Sequence, residues 1–507
     1  MNFKLSFFTL LTFTLIGWTQ NATDALRYSL DDIQGTARFR AMGGAFGALG
    51  GDLTAANVNP AASVVFSSNT VGFTFGYVNN IQDAQYFEDL DTGERDSWDL
   101  NQFGGVFVYN NPDISSNWTK FSFGMLYEQT ANLDQTWSVR GINPNTSLGT
   151  YFLENAQGKR LDEISVLQGE TVSEAYAAIG NLYGFEHQQA LLGYESFILD
   201  PLQFEDSNTS YTLNMSGGNY RQNHYVNARG YNGKLAFNFA TQYKNVLQLG
   251  LNLNTHFLRY DEFSRSTEGA SSVSSRIAFI KFEETLLTTG SGFSFQLGAI
   301  VRATPSLRFG LNYASPTWMY LNDETTQFVS TDRRDAGGAN PITTIDPRIV
   351  NIYPSYHLQT PWSFGASTAY IIGNRALLSF DYSLKDYSSM RYSDSNDPFF
   401  ATQNNIISNT FKSASSYRFG GEYKIKQVSL RGGYRIEESP YQDTVFFGDL
   451  SAYSFGFGYS LANFRLDGSF AQSERDFSRQ LYEVGLTNSA QFTQRITDII
   501  VTMTFMF

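Results

Sequence analysis

Charged residues in the last third of the chain stand at alternate positions beside aromatic or aliphatic neighbours: Asp381, Lys385, Arg418, Glu422, Arg431, Arg435, Glu437, Arg465 and Asp467. A guanidinium can grip a carboxylate through two parallel N–H···O bonds. These side chains can hold an anionic head group, or they can pair among themselves and with a second polar segment. A candidate for that segment is residues 35–62, GTARFRAMGGAFGALGGDLTAANVNPAA. Gly35, Gly43, Gly44, Gly47, Gly50 and Gly51 allow a tightly bent backbone and close approach to a wall. Its alanines keep it thin, and Asn59-Pro60-Ala61 closes it, because a proline restricts the residue before it to an extended conformation. Arg38, Arg40 and Asp52 are charges that a wet interior tolerates better than lipid does. The stretch reads as a plug inside a closed wall, with Arg38 and Arg40 meeting the wall's acids.

Other chemistry finds little support. His187, His224, His256 and His357 are scattered without ligand-like grouping, so no metal site is expected. There is no cysteine, which excludes disulfides and thiol chemistry. The glycine-rich stretches neither follow a strand nor open a dinucleotide-binding unit. No Ser-His-Asp order has a supporting strand-turn context. The chain is expected not to be an enzyme and to need no cofactor. With 35 Lys and Arg against 48 Asp and Glu, the net charge of −13 makes nucleic acid an improbable partner.

Composition points to a membrane wall built of strands. The chain has 44 Phe, 30 Tyr, 6 Trp and 43 Gly in 507 residues, a load that suits a barrel with aromatic girdles. Residues 1–20 read as a signal peptide, with Lys4 in the n-region and Leu5 to Trp18 as the apolar core. No later stretch offers eighteen apolar residues without charge.

Period-two alternation places strands at 66–79, 102–110, 119–130, 232–243, 246–259, 291–303, 306–320, 359–371, 376–388, 411–424, 427–437, 451–460, 463–474 and 496–507. That makes fourteen, and single-chain bacterial barrels have even numbers. The joints alternate between short ones, such as Lys244-Asn245, Thr304-Pro305 and Gly373-Asn374, and the long connections 80–101, 131–231, 260–290, 321–358, 389–410, 438–450 and 475–495. Short periplasmic turns and long extracellular loops have this rhythm, with both termini periplasmic. The faces agree. Ser379, Asp381, Ser383 and Lys385 oppose Leu378, Phe380, Tyr382 and Leu384; Arg431, Arg435 and Glu437 oppose Leu430, Tyr434 and Ile436. Charged faces cannot pack dry against a second sheet. A barrel turns them to the lumen and satisfies every strand edge. A secreted sandwich or propeller remains the alternative fold.

Within 131–231 apolar residues recur at helical steps: Leu167, Val172, Tyr176, Ile179, Leu182 and Phe185. Segment 260–290 adds Phe279, Phe282 and Leu286. Together they form either an extracellular apolar groove for a lipid-like solute or the packed core of a loop.

The stretch DALRYSLDDIQGTARFRAMGGAFGALGGDLTAANVNPAA resembles the N-terminal hatch of the FadL-type outer-membrane transport proteins (OMPP1/FadL/TodX) in the form seen in Bacteroidetes, and Asn59-Pro60-Ala61 matches that family's Asn-Pro-Ala element. GLNYASPTWMY, TPWSFGASTAYI and YRFGGEYKIKQVSLRGGYR add to the resemblance. It implies an all-β, fourteen-stranded transmembrane barrel with a hatch in the lumen. It also implies passive uptake of hydrophobic compounds such as long-chain fatty acids. They would be caught at the loops, passed into the lumen and released past a hatch rearrangement, with lateral exit through the wall as part of the picture. The expected organisation is a signal peptide at 1–20, a hatch at 21–62 and a barrel at 63–507. The expected setting is the outer membrane, with outer-membrane lipid and a hydrophobic small molecule as partners and a monomeric state. A general porin for small polar solutes and a closed surface scaffold are the alternatives.

Overall fold

Side-chain alternation builds one continuous wall. The computed structural model describes residues 21–334, 341–373, 375–393 and 398–507. The signal-peptide reading at 1–20 and the turn position Asn374 lie outside them. Fourteen antiparallel strands close into a barrel. They are β1 (Thr70–Tyr86), β2 (Asp89–Asn110), β3 (Trp118–Asn132), β4 (Tyr220–Tyr243), β5 (Leu247–Gly269), β6 (Ile277–Arg302) and β7 (Leu307–Ala314). Then follow β8 (Ser363–Ile372), β9 (Ala376–Asp386), β10 (Ser413–Ile425), β11 (Val428–Glu437), β12 (Leu450–Ser460), β13 (Phe464–Gln480) and β14 (Ser489–Met506). The ring closes where β1 pairs with β14, from Thr70↔Met506 to Gln85↔Gln491. Leu378, Phe455, Phe457 and Val501 stand exposed on the outer face, while Ser379, Asp381, Asp467 and Thr502 are buried inside. Among the described residues no helix is long and apolar enough to cross a membrane, which leaves the crossing to strands.

Each of the fourteen sequence segments contains a wall strand, but several end too soon. Segments 80–101 and 260–290, expected as loops, are strand for most of their length: β1 and β2 form a hairpin turning at Phe87-Glu88, and β5 and β6 run to Gly269 and from Ile277. A tilted membrane strand needs about 9–11 residues. With 24, 23 and 26 residues, β4, β5 and β6 continue well beyond the bilayer. The reason they were missed is physical. Outside the bilayer the outward side chains turn polar, as at Asn79 and Asp83, so the apolar mark of the strand fades while the ladder continues. By contrast β8 to β12 have only 10 to 13 residues.

The expected strand 306–320 is broken. β7 stops at Ala314, and after Ser315-Pro316-Thr317 the chain resumes as Trp318–Arg333, paired with the upper half of β6. Proline cannot donate to a ladder. Thr360-Pro361-Trp362 interrupts the neighbouring strand at the same level, and the two breaks are stitched by Thr317 N to Thr360 Oγ1 at 2.9 Å and Thr360 N to Thr317 O at 3.0 Å.

Above the tall side, residues 144–219 form a cap with α4 (Gly149–Ala156), α5 (Val172–Tyr183) and α6 (Phe185–Glu195), preceded in the chain by α1 (Ala22–Arg27), α2 (Ala37–Ala41) and α3 (Ala55–Val58) of the N-terminal segment. A further helix, α7 (Pro398–Thr410), covers the low side.

Candidate functional site: a charged and glycine-seated segment in the lumen

The N-terminal segment descends through the lumen. Asn21 caps α1 reciprocally with Asp24, and Leu26 and Tyr28 pack in an upper apolar cluster with Tyr260, Leu321, Tyr356 and Tyr392. At the other end the short 3₁₀ turn Pro60–Val65 leads to β1 at the rim of short turns. The backbone between is bent at Gly35, Gly43, Gly44, Gly50 and Gly51, all at positive φ, where a Cβ is disfavoured. Gly47 is not at positive φ; a Cβ there would meet the wall's Ser367.

Three kinds of contact hold the segment. The first is a ring of charges. Arg38 donates to Glu422 from Nε at 2.9 Å and Nη2 at 3.2 Å. Glu422 also accepts from Arg431 Nε at 2.6 Å. Arg431 Nη1 reaches Asp467 at 2.7 Å, and Asp467 accepts from Arg465 Nε at 2.6 Å. Arg465 lies 3.8 Å from Asp52, back in the segment, where Asp52 accepts from Thr36 Oγ1 at 2.6 Å. Three arginines meet three carboxylates, and the sequence-selected Arg38, Glu422, Arg431, Arg465 and Asp467 all belong to it. Arg40 pairs separately with Asp498 at 2.5 Å, and Asp381 accepts from Gly47 N at 2.8 Å.

The second contact is amide to backbone. Asn59 Nδ2 donates to Gly47 O at 2.7 Å, and its Oδ1 accepts from Ala61 N at 3.1 Å. Asn238 binds Pro60 O at 2.9 Å, Asn252 binds Ala56 O at 2.8 Å and Gln296 binds Asn57 O at 3.0 Å. These wall amides were missed by reasoning that looked for charge. Their signal was present as polar residues on the inward face of β4, β5 and β6.

The third contact is a set of wall glycines. A Cβ on Gly420 would lie 2.6 Å from Met42 O, and one on Gly43 would lie 3.2 Å from Tyr434 N. Gly310 receives Gly47-Ala48, while Gly250 and Gly298 receive Asn59-Pro60-Ala61. Segment glycines and wall glycines are two halves of one fit. The cavity left beside α2, between Ile33, Arg40, Arg435 and Asp498, is about 30 Å³.

Above the ring lies a second cluster. Glu437 faces Arg435 at 3.3 Å, Arg475 at 3.9 Å and Arg418 at 4.0 Å. Lys385 binds Asp31 at 2.7 Å and stands over the Tyr387 ring, which belongs to the upper apolar cluster. Arg418 Nε, Arg435 Nη1 and Arg475 Nε have no hydrogen-bond partner among the described residues. Arg475 escaped the sequence reading because it lies at the end of a segment cut short at 474.

The wall has a seam between β2 and β3. The β2–β3 ladder ends at Gln102↔Glu128. Beyond it Asn101 bulges inward from β2, and the strands touch only through side chains, as at Asn132 Nδ2 to Asp99 at 2.7 Å. The N-terminal segment lines this seam: Asp32 N donates to Thr130 O at 2.9 Å, and Gln34 accepts from Asn101 and Arg40, each at 2.7 Å.

The selected apolar residues are not brought together as one open groove. Tyr176, Ile179 and Phe282 are buried in the cap core, with Val172 packed on it. Leu286 joins the upper lumen cluster instead, Phe185 is half-buried, and Leu167, Leu182 and Phe279 face solvent. Helical spacing marked the face that packs inward, and period two on β6 sends Phe279 and Phe282 to opposite sides of the wall. The four histidines stand apart: His187 stacks on Tyr183, His224 meets Ser266, His256 meets Ser294, and His357 lies against Tyr320.

A closed barrel with an apolar belt and a polar lumen defines an outer-membrane transport barrel. Residues 207–476 match the family described as "Outer membrane protein transport protein (OMPP1/FadL/TodX)". The chain belongs to that family, whose members carry hydrophobic small molecules across the outer membrane. Among solved structures, a Pseudomonas aeruginosa FadL homologue aligns over 94% of this chain and 100% of its own, with TM-score 0.55 and 12% identity. The Pseudomonas putida toluene transporter TodX aligns over 94% and 99%, with TM-score 0.52 and 12% identity. At such identity the likeness concerns the fold. No curated protein matches the sequence.

Proposed function

We propose that this chain is a monomeric, passive conduit for hydrophobic molecules bearing an anionic head, with long-chain fatty acids as the reference substrate. The observation that carries this reading is the placement of an apolar cluster, packed around α1, next to three arginines that share one carboxylate. Tyr260, Leu321, Tyr356, Met390 and Tyr392 suit a hydrocarbon tail. Arg418, Arg435 and Arg475 around Glu437 offer unsatisfied N–H groups to a carboxylate. In this reading residues 21–62 act as the hatch. The solute displaces α1 from the apolar cluster, its head engages the arginines, and withdrawal of residues 31–34 opens the seam above Gln102 and Glu128 for lateral exit. Supply and consumption of solute on the two sides give direction, with no energy source.

Paired assays in liposomes test it. One follows a long-chain fatty acid to an internal acceptor; the other follows swelling in small sugars. Fatty-acid entry above protein-free controls with little swelling is expected. Swelling without fatty-acid entry overturns the reading in favour of a porin, and background in both favours a closed scaffold. A second reading is uncharged aromatic solutes, favoured by the tyrosine rings of the upper apolar cluster. Replacing Arg418, Arg435 and Arg475 with Gln separates the two, since fatty-acid entry falls and toluene entry does not if the head group is what the arginines bind.

A further inference from the structure

Outward glycines on this barrel are normally covered. Phe257 lies over Gly233, with a ring carbon 3.0 Å from where a Cβ would stand, and Phe457 lies over Gly468 at 2.9 Å. Gly421 and Gly432, within the apolar belt, are not so covered. They are cross-strand partners on β10 and β11. The nearest atom to a Cβ on Gly421 is a Leu378 methyl at 3.4 Å, and to one on Gly432 a Phe455 ring carbon at 4.0 Å. Above them stand Phe419 and Tyr434, and below them Tyr423 and Leu430, all exposed on the outer face. The result is a groove of about 500 Å³ in the apolar belt. Immediately inside, the adjoining pair Gly420 and Gly433 carries the hatch at Met42-Gly43. At this spot the wall is bare backbone on both faces.

Height and charge identify what fills the groove. Gly421 lies four residues before Ile425 at the end of β10, and Gly432 four residues after Val428 at the start of β11. Four tilted strand residues span roughly 9–10 Å along the bilayer normal. The groove is therefore at acyl-chain depth in the periplasmic leaflet. At the rim below it Arg375 and Lys426 are both exposed, and Lys424 N donates to Arg375 O at 2.6 Å, which places Arg375 beside the end of β10. Lys424 itself lies 3.6 Å from Glu422, whereas Arg375 and Lys426 are exposed cations at this rim.

We propose that this groove and rim bind one anionic phospholipid of the periplasmic leaflet, with the phosphate at Arg375 and Lys426 and an acyl chain over Gly421 and Gly432. Association inside a bilayer rests on close packing and polar contacts, because lipid offers no hydrophobic gain. An uncovered glycine pair supplies the packing and the two cations supply the polar contact. The site stands independently of the transported solute.

The test uses the full-length folded protein in liposomes of phosphatidylethanolamine and phosphatidylglycerol, with a phosphatidylglycerol carrying a photoreactive group on one palmitoyl chain. Peptide mapping is expected to find label concentrated on Leu378, Phe419, Tyr434 and Phe455. Gly421→Leu with Gly432→Leu is expected to reduce it to the level of the rest of the belt. Arg375→Gln with Lys426→Gln is expected to reduce labelling by phosphatidylglycerol while the barrel keeps its heat-modifiable mobility. Even labelling around the belt, or undiminished label in the filled variant, overturns the site. Undiminished label in the rim variant overturns the head-group contact. If the double glycine variant fails to fold, Gly432→Leu and the rim variant give the same readings.

Discussion

Arg38 ties the segment in the lumen to the charge ring through two hydrogen bonds to Glu422, and its removal has a calculable effect. Arg38→Gln removes two charge-assisted hydrogen bonds to Glu422, whose side chain is 1% exposed against 9% for Arg38. Hydrogen bonds to charged groups contribute about 1.5–3 kcal/mol, and stripping a buried ion of its only partner costs about 3–5 kcal/mol. Glu422 is not stripped, because Arg431 remains at 2.6 Å. The expected loss is thus about 2–4 kcal/mol of the free energy holding the segment. At about 1.4 kcal/mol per decade, the displaced state rises about 30- to 700-fold. Adding Arg40→Gln removes the 2.5 Å contact to Asp498, a carboxylate only 9% exposed, and enlarges the effect. The assay is single-channel conductance in planar bilayers, alongside protease cleavage within residues 21–62 of the folded barrel. Both should rise in Arg38→Gln and rise further in the double variant. Unchanged conductance together with unchanged cleavage in the double variant refutes the claim that ion pairs hold the segment.

Glycine seating predicts a contrast between neighbouring positions. Gly433→Leu, which faces Met42-Gly43, should displace the segment and raise conductance, whereas Gly432→Leu, which faces lipid, should leave conductance unchanged. Phe152, fully buried among Tyr151 and Phe282, anchors the cap; Phe152→Ala should destabilise the cap by about 3–5 kcal/mol and speed amide exchange across α4 to α6 without changing barrel mobility. Burial, with Lys159 adding to it, holds His187 below its ordinary range. A depressed histidine pKa means the unfolded cap takes up the proton more readily, so cap stability is full above about pH 6.5 and declines as pH falls from there towards the folded pKa. Amide exchange in α5 and α6 measured across that window should accelerate on acidification, and His187→Gln should flatten the dependence.

The transmembrane belt was legible because lipid enforces strict alternation on every strand. Tyr434 and Phe455 could only face out, and Arg431 and Asp467 only in. The charge ring was legible for the same reason, since full charges on the inward face had to find partners. The extracellular strands were not, because outside the bilayer neither face need be apolar. The cap residues illustrate a different limit. Helical periodicity at Tyr176 and Ile179 reports that a face is covered, and a groove and a core produce the same spacing. The wall glycines were hidden because a single glycine in a strand has several causes. Only the juxtaposition of Gly420 and Gly433 with Gly43 distinguishes a seat from a gap.

The contacts also assign different tasks to the two ends of the segment in the lumen. Near β1, amides from three wall strands hold Ala56 O, Asn57 O and Pro60 O, and Asn59-Pro60-Ala61 sit against Gly250 and Gly298, where a Cβ would collide with them. Around α2, the charge ring adds a fixed, water-poor tie. At α1 the character changes: Ala22, Ala25, Leu26 and Tyr28 are held chiefly by aliphatic and aromatic neighbours, with Tyr28 to Thr288 at 2.9 Å among the few direct hydrogen bonds to the wall. Apolar contacts are non-directional and scale with area, so another hydrocarbon can replace them at little net cost. Directional amide and ion-pair contacts cannot be replaced in that way. Under the proposed function, a hydrophobic solute entering from outside competes with α1 and not with Asn59, and the α1 end is the one that yields while the attachment to the first strand stays in place.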